Sequence, residues 1–323
     1  MPSDVLRTLT LNLDHDGGPP GPNGELPESF YLAQELIAAS RPDVVARQEM
    51  TWSQTRESAW ESVRAAADHR FGEAQRILGM TGYRAPKGHG NNPTAMFVRR
   101  ESFATVEQQP HFLHWRTPPT VVRLTLPEAP DAAITAVSVH MACHSIDVRR
   151  VETDNLTTLV DKLKLHQEPG PAAGLVVMGD MNGYPTPEGE STPPVEWSTV
   201  EDRAHRHHRA TQRPDGTWES CTYTDRTLRN TGMADAARWA AHHLGQPAAL
   251  APTAGHGKPG QGGPARIDRT YINENDADCI LDVTVLDTSG FTDHHAVVVT
   301  LSRRKLVENL RRRAPYTPVE LAG

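Results

Sequence analysis

Six short polar segments sit at the ends of apolar runs in this chain: TLN at Asn12, RQE at Glu49, SVH at His140, GDMN at Asp180 and Asn182, RID at Asp268, and TDHH at Asp293 and His294. Each carries a carboxylate, an amide or an imidazole. Strand ends and the loops beyond them are where a rigid scaffold presents reactive groups. The apolar runs behave as strands. Leu9, Leu11 and Leu13 alternate with Thr8, Thr10 and Asn12, a period-two pattern that predicts a half-buried strand. Phe30, Ala33, Leu36 and Ile37 recur at helical spacing up to Pro42, and the short run Val44, Val45, Ala46 then leads to Gln48 and Glu49. Further strands are expected over 95–98, 121–126, 134–140, 175–178, 265–272, 280–286 and 296–301, with an amphipathic helix carrying Val148, Val151, Leu159 and Leu163. Strands dominate and helices interrupt them irregularly, so an α/β (α+β) arrangement of two packed sheets flanked by helices is favoured over a doubly wound parallel sheet. Neither GxGxxG nor GxxxxGK[ST] is present to support that alternative.

A chain of 323 residues with 37% hydrophobic content can bury a substantial core, and composition does not choose between one domain and two. A net charge of -7 lacks the footprint of a protein that coats nucleic acid non-specifically, although a local basic groove is compatible with it. The N-terminus enters a strand-like pattern with Arg7 inside it, without the apolar stretch of a secretory signal, so a cytoplasmic location is expected. No apolar run approaches the roughly 18 residues of a membrane span. Cys143, Cys221 and Cys279 are far apart and form no CxxC pair, which argues for buried thiols rather than disulfides or a thiolate zinc site. Residues 183–264 are the least regular part. There RAHRHHRATQR reads as a solvated, mobile loop, with a cationic substrate-binding segment as the alternative, while ADAARWAAHHL is helix-like. Near the end, Leu306 and Leu310 predict a short surface helix with basic flanks.

Asp180 and Asn182 are two apart and would share one side of an extended backbone, with Pro185 and Pro187 blocking further pairing. Hard dications such as Mg²⁺ take oxygen ligands from one or two carboxylates together with substrate phosphate. Asn12, Glu49, Asp180, Asn182 and Asp293 supply that chemistry, and His140 and His294 can titrate or donate near neutral pH. His294 and His295 are adjacent and point apart on an extended segment. A zinc hydrolase is less well supported, because HExxH is missing.

In order along the chain, LTLN, PDVVARQE, GNNPTAMFVRR, ITAVSVH, RRVETDNL, VVMGDMN, RID and TDHHAV together resemble the endonuclease/exonuclease/phosphatase superfamily, which includes apurinic endonucleases, deoxyribonuclease I-like enzymes, sphingomyelinases and inositol polyphosphate phosphatases. The resemblance implies a single domain over 1–323 built as a four-layer sandwich of two packed mixed sheets, with a loop-rich insertion about 183–264 and a basic tail about 302–323. It implies that Glu49 is the principal metal ligand, helped by Asn12 and Asp293, and that Mg²⁺, or alternatively Mn²⁺, is the cofactor. Asp180 would orient or activate the attacking water, and Asn182 would contact the scissile phosphate. His294, oriented by Asp268, would be the catalytic imidazole, and His140 would donate to a phosphate or leaving oxygen. The motif, not periodicity, selects His294 over His295.

The expected activity is hydrolysis of a small or medium phosphorylated substrate, a monoester or a diester, by in-line attack of water. Asn12, Asn182, His140 and Arg47 are the expected substrate contacts. One alternative is a DNA or RNA nuclease using Arg47, the 203–213 segment and the C-terminal helix on phosphates; another is a non-catalytic binding protein that retains the fold. Nothing demands an obligate protein partner. Two departures from the family pattern stand out: Arg269 and Thr270 follow Asp268 where relatives commonly carry an aromatic, and Arg47 replaces an apolar residue, placed either to reach phosphate or to pair with a carboxylate.

Overall fold

The computed structural model describes residues 3–90, 92–109, 115–164, 172–256 and 259–312. Asn91 of the GNNP segment, part of GHGKPGQGG, the Leu163 side chain and the tail beyond Arg312 therefore lie outside the described residues. The strands are β1 (Val5–Asn12), β2 (Val44–Gln48), β3 (Thr81–Arg84), β4 (Ala95–Val98), β5 (Thr105–Gln108), β6 (Thr120–Leu126), β7 (Ala129–His140) and β8 (Ala172–Asp180), then β9 (Ala210–Gln212), β10 (Trp218–Ser220), β11 (Met233–Asp235), β12 (Asp268–Asn273), β13 (Ile280–Leu286) and β14 (Ala296–Ser302). One six-stranded sheet has the order β13-β14-β1-β2-β4-β3 and the other β11-β12-β8-β7-β6-β5, while β9 and β10 form a separate hairpin. The pairs β1/β2 and β7/β8 are parallel and the rest antiparallel, so both sheets are mixed, as expected.

The alternation in β1 is real, but the strand is not half-buried. Leu9, Leu11 and Leu13 pack with Phe30, Ala33 and Ile37 of the helix Glu28–Ser40 and with Phe71 and Ala74 of the helix Glu61–Leu78. Thr8, Thr10 and Asn12 are buried as well, because the second sheet covers that face. The interior between the sheets changes character along the strands. At one end Leu6, Val44 and Ala46 meet Leu124, Ile134 and Val176 in an apolar core. At the other, Thr10 Oγ1 donates to Gln48 Oε1 (3.2 Å), Gln48 Nε2 to Ser138 Oγ (3.2 Å), and Ser138 Oγ to the Arg47 carbonyl (3.2 Å). A polar chain of this kind is tolerated inside a sandwich because its members satisfy one another.

On the far side of the second sheet, the helix Ile146–Lys164 buries Leu156, Leu159 and Val160 against Val137, Val139, Leu175 and Val177. Val151, expected on that face, is exposed; Arg149, Glu152 and Thr153 are buried in its stead. One expectation for the 183–264 region is revised. RAHRHHRATQR is not a loop: Arg203–Arg209 is a helix whose Asp202 cap accepts from His205 N (2.9 Å), and it runs into β9. The region also supplies β11 to the edge of the second sheet. The helix-like ADAARWAAHHL is the helix Ala236–His243, capped by Asp235. Leu306 and Leu310 are buried on the helix Arg303–Arg312, as their spacing predicts. Among the described residues, no helix is long and apolar enough to cross a membrane.

Candidate active site

Strand register delivers the six polar segments to one end of the sandwich. Asn12 lies beside Gln48 across β1/β2, His140 beside Asp180 across β7/β8, and Asp180 beside Asp268 across β8/β12. Glu49 follows β2 with φ 58°, a left-handed conformation that turns its carboxylate off the strand line. Asn12 Nδ2 joins the two sheets, 3.4 Å from Glu49 Oε1 and 3.2 Å from Asp180 Oδ2. Asn12 Oδ1 is buried and has no hydrogen-bond partner among the described residues. Beyond β1 the chain bends through His15 (φ 51°) and Asp16 (φ 58°), and His15 N donates to Glu49 Oε2 (2.9 Å).

The bend is locked from behind. Asp16 accepts from Ser53 Oγ (2.6 Å) and pairs with Arg70 (3.2 Å) and Arg47 (3.4 Å). Arg47 corrects the expectation of a substrate contact: it is fully buried, lies away from the cleft and takes the carboxylate-pairing option. Burial lowers its guanidinium to about 10, which still leaves it charged near neutral pH.

Gly179 precedes Asp180 at φ 143°, and a Cβ there would meet the Val139 carbonyl oxygen at 1.9 Å, so only glycine lets β7 and β8 close up at this point. Asp180 and Asn182 do not share an extended backbone. Asn182 is left-handed (φ 47°), its N–H donates to Asp180 Oδ1 (2.8 Å), and its Nδ2 donates to the Met141 carbonyl (2.8 Å). His140 Nε2 lies 3.8 Å from Glu49 Oε1 and 3.7 Å from Asp180 Oδ2. Its Nδ1 is 3.3 Å from the Asn92 carbonyl, an acceptor only, which assigns a proton to Nδ1.

Behind this segment the RRVET motif grips the main chain of one residue on both sides. Glu152 Oε2 accepts from Ala142 N (2.7 Å), and Arg149 donates to the Ala142 carbonyl (2.5 Å) and to the His208 carbonyl (2.9 Å). Burial pushes Glu152 up to about 7, against the opposing bonds from the main chain of Ala142 and Arg116. Arg269, the departure from the family pattern, is also buried. It donates to the Gly183 carbonyl (2.9 Å) and faces Asp225 (3.5 Å), so it supports the Asn182 turn from below.

His294 Nδ1 is 2.9 Å from Asp268 Oδ2, and Asp268 is itself held by Thr253, whose hydroxyl accepts from Asp268 N (2.9 Å). Burial works against a charged imidazole here, but Asp268, Asp180 and Asp293 outweigh it and raise His294 to about 10. At neutral pH it is therefore a cation and a proton donor. His295 points elsewhere, 3.1 Å from Thr288 Oγ1 and with its ring tilted 38° against that of His256, centroids 4.1 Å apart.

A cleft of about 880 Å³ collects Glu49, His140, Asp180, Asn182, Asp293 and His294. Asp293 borders it without entering either three-residue cluster of close ligand atoms among the described residues, Asp14/His15/Glu49 and Asp180/Asp268/His294. Several lining residues escaped the sequence reading. Asp14 and His15 lie two and three positions after Asn12, and that proximity was the available signal. His205 and Arg209 come from the Arg203–Arg209 helix, within the segment whose alternative reading was a cationic substrate-binding one, and Arg209 donates to the Asn182 carbonyl (2.7 Å). Burial and the Arg209 charge depress His205 to about 4, so it faces the cleft neutral and Arg209 carries the charge. Cys143 is exposed at the rim, not a buried thiol.

No family model matches this chain, and no curated protein does. Solved structures do. An AP endonuclease from Leishmania major superposes with a TM-score of 0.61 at 14% identity, covering 93% of this chain and 88% of that one. An endonuclease/exonuclease/phosphatase family protein from Bacteroides thetaiotaomicron gives 0.55 at 13% identity, covering 92% and 94%. A 3'-5' exonuclease from Neisseria meningitidis gives 0.55 at 15% identity, covering 92% and 100%. This chain has the fold of the endonuclease/exonuclease/phosphatase superfamily.

Proposed function

We propose that this protein is a divalent-metal-dependent phosphoester hydrolase, a single-domain cytoplasmic enzyme that cleaves a small or medium phosphorylated substrate by in-line attack of water. The observation that carries this reading is the meeting of Glu49, His140, Asp180, Asn182 and His294 in one cleft, with Asn12 bridging Glu49 to Asp180 and Asp268 holding His294. The donor set fits a hard dication: carboxylates, an amide and the unpartnered Asn12 Oδ1. Glu49 would hold Mg²⁺ or Mn²⁺, with Asn12 and Asp293 completing the oxygen set. When bound, the cation supplies charge neutralisation at the phosphate oxygens.

The chain's own residues do the rest. Asp180, fixed by the Asn182 N–H and the Asn12 amide, orients and deprotonates the attacking water. His294, cationic and oriented by Asp268, donates to a phosphate oxygen as negative charge builds. His140, on the side of Glu49, donates from Nε2 to the leaving oxygen when doubly protonated. Asn182 and Arg209, joined through the Asn182 carbonyl, contact the phosphoryl group from the cleft lining. The small-substrate reading is supported by a net charge of -7 and by Arg209 being the one arginine among the described residues that line the cleft. A nuclease is the second reading, favoured by the likeness to a Neisseria 3' phosphatase bound to product DNA hairpin, at 14% identity and a TM-score of 0.55.

A panel of phosphomonoesters, phosphodiesters and oligonucleotides assayed with Mg²⁺ and with Mn²⁺ tests both. Absence of turnover on every member, with folded protein, would reject hydrolysis and leave the non-catalytic alternative.

A further inference from the structure

Asp14, His15 and Glu49 bring three potential ligand atoms within 4.8 Å of one another at the mouth of the cleft. His15 Nδ1 stands 2.7 Å from Asp14 Oδ1 and 3.5 Å from Glu49 Oε2. Neighbouring ligands around an octahedral dication with bonds of ~2.1 Å lie ~3.0 Å apart, so these two spacings bracket what an ion would need.

A second observation is independent of the cluster's internal bonding. The Asn12 amide, 1% exposed, reaches to 3.4 Å from Glu49, and its Oδ1 is a buried acceptor with no partner at the wall of the same site. The His15–Asp14 hydrogen bond accounts for the imidazole but leaves that oxygen unmet. A flip of the same amide would bring that oxygen to the position that Nδ2 holds beside Glu49, where a cation would meet it.

The imidazole changes which cation. Mg²⁺ is bound through oxygen and keeps its waters, whereas first-row transition-metal dications accept imidazole nitrogen beside carboxylate. We propose that His15 is a nitrogen ligand of the metal site built on Glu49, with Asp14 as an added carboxylate, and that it makes the site prefer a transition-metal dication such as Mn²⁺ over Mg²⁺. This rests on the metal dependence proposed above and specifies the ion.

The test reads binding rather than turnover. The full chain, stripped with a chelator, is titrated with Mn²⁺ and followed by electron paramagnetic resonance, with Mg²⁺ as competitor and spin-echo detection of nitrogen coupled to the bound ion. Mn²⁺ is expected to bind at least about 10-fold more tightly than Mg²⁺ and to show a coupled imidazole nitrogen. His15→Asn tolerates the left-handed backbone and keeps the N–H bond to Glu49, so its fold is expected to persist; His15→Gly is the backup, with circular dichroism as the check. Either variant should lose the nitrogen coupling and about 10-fold or more in Mn²⁺ affinity, with Mg²⁺ affinity nearly unchanged. Bound Mn²⁺ without nitrogen coupling, or coupling that survives in a folded His15 variant, overturns the inference and leaves the hydrolase reading standing. Failure to bind either ion overturns both.

Discussion

Glu152 shows how much a single buried residue can decide. It has no exposed surface and accepts from the Ala142 N–H just past His140. Burial disfavours its charged form and raises it from 4.5 to about 7. Across that window the folded state binds more protons than the unfolded chain, so wild-type stability falls as pH rises. Glu152→Gln keeps an acceptor for Ala142 and cannot ionise. Its stability relative to wild type should therefore rise by about 3 kcal/mol between the acid and alkaline ends of the window, read from urea unfolding as a function of pH. Parallel pH profiles for the two proteins would show that Glu152 does not titrate where its burial demands. Asp180→Asn is the corresponding catalytic test. The variant keeps an acceptor for the Asn182 N–H, so its thermal midpoint should stay near wild type while kcat falls about 10³-fold. Retention of activity would remove Asp180 from the chemistry. Residue identity was a good guide at the strand ends, where Glu49, His140, Asp180 and His294 face one cleft and Asn12 bridges two of them from behind. It was a poor guide for Arg47, whose direction depends on Asp16 and Arg70 from other segments.

Gly179 belongs to the scale of elements, because its constraint comes from a neighbouring strand. Gly179→Ala would put a methyl group against the Val139 carbonyl at a φ of 143°, prising β7 from β8 next to His140 and Asp180. The expected loss exceeds about 3 kcal/mol, measured as a shift in denaturant midpoint, and a variant as stable as wild type would contradict the close strand contact. Arg269→Met on β12 is expected to cost about 3–5 kcal/mol, because it leaves Asp225 short of a buried partner and the Gly183 carbonyl short of a donor. A cost under about 1 kcal/mol would mean that the Asn182 turn does not need this support. Periodicity located most elements but assigned two faces wrongly. β1 is buried on both sides, and the helix Ile146–Lys164 turns Arg149 and Glu152 inward while Val151 is exposed. The Arg203–Arg209 helix has no apolar stripe to announce it; Asp202 caps it and Arg149 holds the carbonyl of His208.

For the whole molecule, net charge and cleft lining together bear on the substrate. With Arg209 as the cleft arginine, affinity for a small phosphorylated ligand should fall less than about tenfold between roughly 50 and 200 mM salt, whereas a protein neutralising several backbone phosphates loses about 10³-fold or more. Competition binding across that range decides it, and a steep decline would favour the nuclease reading. By itself the sequence determined the strand-rich architecture, the polar ends of the strands and the kinds of donor atom available. Those are local properties, written in side-chain type and in a repeat of two or 3.6 residues. Only the tertiary structure decided which of them meet. Asn12 and Asp180 are 168 positions apart and touch because two sheets pack face to face. The same packing takes Arg47 out of the cleft, keeps His205 neutral and holds His294 charged, since burial and the nearest opposite charge set both the direction of a side chain and its proton.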